Sequence, residues 1–206
     1  MKRKQLTAFL ICNVLIVFFE IIGLYLVFKS IGAWGFIYYT QLSNMFLLVA
    51  AIISIYSTIK ALNGGKKNEI SATTWRIFHA AVSVTSVTFL VVVFVLSWMY
   101  NDLWHVLTAG SMLYTHTLCP LLAFGTFITF APKCFKRIDA LKATYFTFLY
   151  GLIAIILNYL RILEGPYPFL YVYRQPLWAT IAWIIGIIGG AYAIARLLIV
   201  EKIKSK

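Results

Sequence analysis

The chain has 206 residues, 62% of them hydrophobic and 12% charged, with a mean hydropathy of +0.89. Soluble domains are about 45–50% apolar and about a quarter charged, so composition excludes a water-soluble globule and leaves no room for a separate soluble domain. The net charge of +12 resides in short Lys and Arg clusters between apolar runs, not in one basic stripe. That pattern is a topology signal and argues against a nucleic-acid partner.

A helix needs about 20 apolar residues to cross the hydrocarbon core. Six stretches qualify in chain order: 6–28, 36–59, 76–100, 108–131, 143–163 and 177–200. The first follows Met1-Lys2-Arg3-Lys4, as a signal peptide would. The run from Leu6 to Phe28 is longer than a signal h-region and lacks a small-residue cleavage site, so it reads as a retained transmembrane helix. The expected fold is therefore all-α: one polytopic six-helix domain over residues 1–206.

Placing both termini in the cytoplasm puts fifteen cations inside. They are Lys2, Arg3, Lys4, Lys60, Lys66, Lys67, Arg76, Lys133, Lys136, Arg137, Lys142, Arg196, Lys202, Lys204 and Lys206. Only Lys29, Arg161 and Arg174 then lie outside. This bias assigns both termini to the cytoplasmic side.

Polar residues inside the spans carry the chemistry. Glu20 on the first helix is the one acid well inside a span, with Arg161 or His116 as its expected partner, and a structural Glu20–Arg161 tie is the simpler alternative to a catalytic role. Thr40, Ser43 and Asn44 share one face of the second helix through i, i+3 and i+4 spacing. A lone Thr would only bond back to its own helix, but Asn44 needs partners and is expected to turn this face inward. His116 lies on the fourth helix, one turn before Pro120, whose missing N–H is expected to free the His116 carbonyl. At 1.5 Å per residue, Thr40, His116 and Glu20 fall roughly 6, 10 and 12 Å below the outer boundary. Asn158 and Arg161, near the outer end of the fifth helix, complete the expected polar layer.

A hydroxyl becomes nucleophilic when a base takes its proton, and His is the usual base near neutral pH. Thr40 as nucleophile and His116 as base form one such pair, with Asn44 or nearby backbone as oxyanion donor. Arg161 and Arg174 are suited to an anionic head group or carboxylate. The connector 164–176 contains Pro166, Tyr167, Pro168 and Phe169, which cannot continue a helix and suit a lid or, equally, an inert interfacial turn. Cys12, Cys119 and Cys134 are scattered, and His79 and His105 lack ligand-spaced neighbours, so no disulfide framework, metal or cofactor is expected.

The segments Tyr39-Thr40-Gln41-Leu42-Ser43-Asn44, His116-Thr117-Leu118-Cys119-Pro120 and Tyr167-Pro168-Phe169-Leu170 resemble the bacterial Pr6Pr membrane proteins. Those are similar in turn to the androgen-induced protein and FAR-17a group. The resemblance implies an intramembrane threonine hydrolase acting on fatty-acyl esters, with Thr40 as nucleophile and His116 as base. From the residues themselves, supporting roles are expected of Ser43, Asn44, Glu20 and Asn158 and substrate contacts of Arg161, Arg174, Tyr167 and Phe169, in a bacterial cytoplasmic membrane. Two rivals stand beside the hydrolase reading: a non-enzymatic protein that binds or transports a lipid or solute, and a Cys–His acyltransferase using Cys119.

Overall fold

The computed structural model describes residues 1–64 and 69–203, and Lys66, Lys67, Lys204 and Lys206 of the charge count lie outside them. The helices are α1 (Arg3–Ile31), α2 (Tyr39–Asn63), α3 (Ala72–Val91), α4 (Ser97–Tyr100), α5 (Leu103–Thr108), α6 (Cys119–Phe130), α7 (Arg137–Tyr159) and α8 (Leu177–Ile199). A 3₁₀ turn (Gly32–Ile37) follows α1, and π-helical turns precede α4 (Val92–Leu96) and α6 (Leu113–Leu118). Joined through these turns, the helices make six units long and apolar enough to cross a membrane, and no strand occurs among the described residues. The chain is a polytopic α-helical membrane protein.

Local chemistry sets the helix limits. Ser71 caps α3 by accepting from the Thr74 N–H at 3.1 Å, and Asp102 caps α5 through the His105 N–H at 2.9 Å. Asp139 caps α7, accepting from the Lys136 N–H at 2.7 Å and pairing with Arg76 at 3.3 Å. The fifth span therefore starts at Arg137, takes in Asp139 and Lys142, and ends at Tyr159, where 143–163 is expected from apolarity alone. Capping chemistry outweighs hydropathy at this end. Similarly, α2 starts at Tyr39 and not at 36, because Gly32–Ile37 is wound into the apolar 3₁₀ turn.

The third span runs through the middle of the bundle, against α2, α6, α7 and α8. Its buried Ser83, Thr85 and Thr88 return their hydroxyls to carbonyls of their own helix, so these small polar side chains pack closely with their hydroxyls satisfied. One core cluster gathers Phe9, Trp75, Phe78, Phe127 and Phe135; Phe9 meets Trp75 and Phe130 at ring distances of 4.8 and 5.8 Å. This cluster joins the start of α1 to the end of α6. Phe135 also pairs with Ile203, so both termini lie at the same end. A second cluster, at the opposite end, gathers Tyr39, Val87, Leu96, Tyr167, Phe169 and Leu170. Outward-facing Ile11, Phe18, Ile21 and Tyr25 on α1 are exposed and form a surface suited to lipid.

Candidate functional site

Thr40 is the second residue of α2, with Tyr38 as the flanking cap residue. Its backbone N–H belongs to the first helical turn, where no carbonyl of the same helix is available. The Tyr167 hydroxyl takes that role: the Thr40 N–H donates to it at 3.3 Å, and the Thr40 hydroxyl lies 3.2 Å from it. Burial pushes the Tyr167 phenol above its ordinary range and keeps it a neutral donor and acceptor.

Thr40, Ser43 and Asn44 are all buried, as their shared face predicts. Ser43 donates to the Thr40 carbonyl at 2.8 Å and meets the Thr88 hydroxyl of α3 at 2.8 Å. The Asn44 amide donates to the Thr40 carbonyl at 2.7 Å and to the Thr115 carbonyl at 3.0 Å. Both amide hydrogens are thereby committed, which leaves none for an oxyanion. The backbone N–H of Thr40 is the donor that remains next to its own hydroxyl.

The Asn44–Thr115 bond follows from the π-turn. Within it the Cys119 N–H reaches the Tyr114 carbonyl, five residues back. Continuing that register, the donor owed to the Thr115 carbonyl is residue 120, and Pro120 has no N–H. The carbonyl set free is thus that of Thr115 and not that of His116, and Asn44 fills it. Gly23 on α1 permits the close approach: a Cβ there would lie 2.8 Å from Tyr114 Cβ and 3.0 Å from Thr115 Cγ2.

His116 is buried and its Nδ1 lies 2.6 Å from the Val106 carbonyl of α5. A carbonyl only accepts, so Nδ1 carries the proton and Nε2 carries the lone pair. This is the tautomer a general base requires. Among the described residues no hydrogen bond joins His116 to Thr40; the two are linked through Asn44, which holds the Thr40 carbonyl and the carbonyl preceding His116.

Glu20 does not pair with Arg161 or His116. It is fully buried near the middle of α1, lies against the Cys119 thiol, and neither carboxyl oxygen has a partner at hydrogen-bond geometry. It sits eleven residues before the end of α1, roughly 16 Å along the axis, deeper than the expected layer. Cys119 faces this carboxyl rather than Thr40. Arg161 lies past the end of α7 in a left-handed turn (φ 57°), its guanidinium 4.6 Å from the Tyr173 ring centroid. Apolar length alone had carried the fifth helix beyond it. Arg174 pairs with Glu164 and covers the Tyr171 ring at 5.0 Å.

These arginines line a polar cavity of ≈ 350 Å³ with Asn158, Glu164, Tyr171 and Tyr173. Asn158 organises the connector: its amide donates to the Glu164 carbonyl at 2.6 Å and its carbonyl accepts from the Val172 N–H at 2.9 Å. Gly165, at φ 87°, supplies a turn that other residues resist. The connector then packs Tyr167 flat on Phe169, rings 5.2 Å apart, and Phe169 against Trp183 of α8 at 5.3 Å.

Thr40 lines a different, apolar cavity of ≈ 150 Å³, enclosed by α2, the outer half of α3, α7, α8 and the 167–170 turn. Tyr39, Thr88, Thr147, Tyr150, Tyr167 and Thr180 join it on a wall that is otherwise Val, Ile, Leu, Phe, Trp183 and Gly151. Tyr39 is itself tied to Thr147 at 2.7 Å and to the Val84 carbonyl at 3.3 Å. The structure thus brings Thr40, Tyr167 and Phe169 to one cavity and places Asn158, Arg161 and Arg174 at another. His79, near the end that carries the termini, lies 2.9 Å from the Ala195 carbonyl and ties α3 to α8. The Tyr167–Thr40 contact was outside sequence reasoning, although a lid at 166–170 was within it. No protein-family model matches this chain, and no curated protein or solved structure matches it either.

Proposed function

We propose that the chain is an intramembrane lipid-ester hydrolase of the bacterial cytoplasmic membrane, with both termini in the cytoplasm and the Thr40 cavity in the outer half of the bilayer. The orientation rests on the charge bias: Lys29, Arg161 and Arg174 occupy the end opposite the termini, and the other described cations occupy the termini end. The observation that carries the activity is a buried hydroxyl, Thr40, on the wall of an apolar cavity and on the first turn of a helix.

In this reading the acyl chain of a fatty-acyl ester lies in the apolar cavity with its carbonyl at Thr40. His116 Nε2 takes the hydroxyl proton, directly or through one water, as Thr40 Oγ1 bonds to the carbonyl carbon. The negative charge on the carbonyl oxygen is met by the Thr40 N–H and the Tyr167 hydroxyl. In the resting site that N–H donates to the Tyr167 oxygen at 3.3 Å; the entering ester carbonyl takes over this N–H, and the displaced phenol turns its own O–H toward it. Collapse breaks the ester C–O bond, and the alcohol leaves with the proton from His116. Water, deprotonated by His116, then releases the fatty acid and restores Thr40.

The test is ester cleavage by purified protein in lipid. Thr40→Ala and His116→Ala are each expected to abolish it while preserving the helical signal and melting temperature. Full turnover in either variant overturns its assigned role.

A second reading, a non-enzymatic lipid- or solute-binding protein, is favoured by one observation: the Thr40 hydroxyl is engaged by Tyr167 and has no bond to His116. Covalent labelling of Thr40 by an acyl-phosphonate probe separates the two, since only an activated hydroxyl reacts.

A further inference from the structure

Four side chains on the Thr40 cavity are more than a third exposed: Phe148 (46%), Leu152 (44%), Trp183 (37%) and Ile184 (39%). All four belong to α7 and α8, whereas the walls from α2, α3 and the 167–170 turn are buried or half-buried. The cavity therefore opens along the α7–α8 seam, away from the polar cavity of the arginines.

Depth identifies what meets that opening. Gly151 stands eight residues before the end of α7 and Ile184 seven after the start of α8, roughly 10–12 Å inside the helix ends. The hydrocarbon core is about 30 Å thick, so the mouth faces acyl chains, not head groups or water. Gly151 lines the cavity between Phe148 and Leu152, and a Cβ on it would meet no atom within 4 Å. Any larger residue there would put its side chain into the passage.

We propose that the α7–α8 seam is a lateral portal through which the acyl chain of an ester lipid enters the Thr40 cavity, with Gly151 as its gap. The proposal rests on the assignment of the cavity to an acyl chain, but not on the chemistry at Thr40. A polar solute is a poor occupant, because it would have to cross the membrane interior to reach the mouth. The hydroxyls of Thr40 and Tyr167 then receive the ester end of a chain whose tail is held by α3 and α8.

The test uses the full chain, reconstituted as the Thr40→Ala variant so that entry is read without turnover. Two probes carry the same chain with a terminal diazirine, one a phospholipid ester and the other the free fatty acid, and crosslinks are mapped by mass spectrometry. The phospholipid probe is expected to label Val91 and Leu96 on the inner wall. A further Gly151→Trp substitution is expected to cut that labelling about tenfold while leaving labelling of the lipid-facing Phe18 and Ile21 unchanged. Ile184→Trp, across the mouth, is expected to act in the same direction and covers the case in which Gly151→Trp fails to fold. Inner-wall labelling that ignores both substitutions overturns the portal, and entry of the free acid alone overturns the ester lipid as occupant. If Thr40→Ala retained ester cleavage, the hydrolase reading would fall while the portal result stood.

Discussion

Asn44 offers the most direct check on how the site is built. It donates to the Thr40 carbonyl at 2.7 Å and to the Thr115 carbonyl at 3.0 Å. Asn44→Leu keeps the volume and removes both donors. The Thr40 carbonyl keeps Ser43 at 2.8 Å, so its loss is small. The Thr115 carbonyl loses the donor that stands in for Pro120, and the Cys119 N–H is already directed to Tyr114. A buried carbonyl left unpaired costs about 1–3 kcal/mol. Interhelical side-chain bonds in membranes average about 0.6 kcal/mol and reach about 1.7 kcal/mol. Asn44 also carries an unpartnered carbonyl oxygen, whose removal returns part of the cost. The expected loss is therefore about 1–1.5 kcal/mol.

Pro120→Ala should remove most of that loss, since residue 120 then has an N–H for Thr115. The assay is reversible unfolding in bicelles, followed by circular dichroism, for both single variants and the double. The expected coupling between the two positions is about 1 kcal/mol. Equal costs for Asn44→Leu in the wild-type and Pro120→Ala backgrounds would refute the link between π-turn, proline and amide.

Other expectations rest on the same geometry. Tyr167→Phe removes the phenol O–H proposed to donate to the developing oxyanion and is expected to lower ester turnover about 10²-fold with little change in substrate affinity, measured as kcat against KM. A rise in KM alone would assign Tyr167 to binding. Gly23→Ala places a Cβ 2.8 Å from Tyr114 Cβ, the root of a side chain that cannot swing away, and is expected to cost about 1–3 kcal/mol in the same unfolding assay. Gly125→Ala, in a helix where a Cβ meets nothing within 4 Å, is expected to be neutral or to stabilise by about 0.5–1 kcal/mol. Asn158→Ala frees the 163–172 connector and should raise proteolysis there, with loss of activity as Tyr167 is displaced.

Hydropathy was enough to count the spans, because each unit is 18 residues or longer and apolar enough to cross a membrane. The packing of Phe9 on Phe130, with the Phe135–Ile203 bridge, brings both termini to one end of the bundle. The inward face of Thr40, Ser43 and Asn44 was legible from spacing, since Asn44 has too many polar atoms to face lipid. The limits of α2 and α7 were not, because the 3₁₀ turn is as apolar as a helix and the α7 cap is built from charged residues. Those shifts moved Thr40 to a first turn and Arg161 past a last one. The π-turn was equally hidden: an extra residue in one turn leaves no mark on composition. The partner of Thr40 lies 127 positions away, at Tyr167, beyond the reach of any local periodicity.

The π-turns at Val92–Leu96 and Leu113–Leu118 enclose the α4–α5 corner like two inserted letters in a line of text. Each advances the chain by one residue without adding a full step of helix, so the helix entering the turn is rotated by about 100° relative to the helix leaving it. Where His116 points is thus a matter of residue count as much as residue type. A homologous sequence with one residue fewer between Asp102 and Pro120 would keep its histidine and still aim it elsewhere. Gap placement in this corner therefore carries geometric information that identity scores discard.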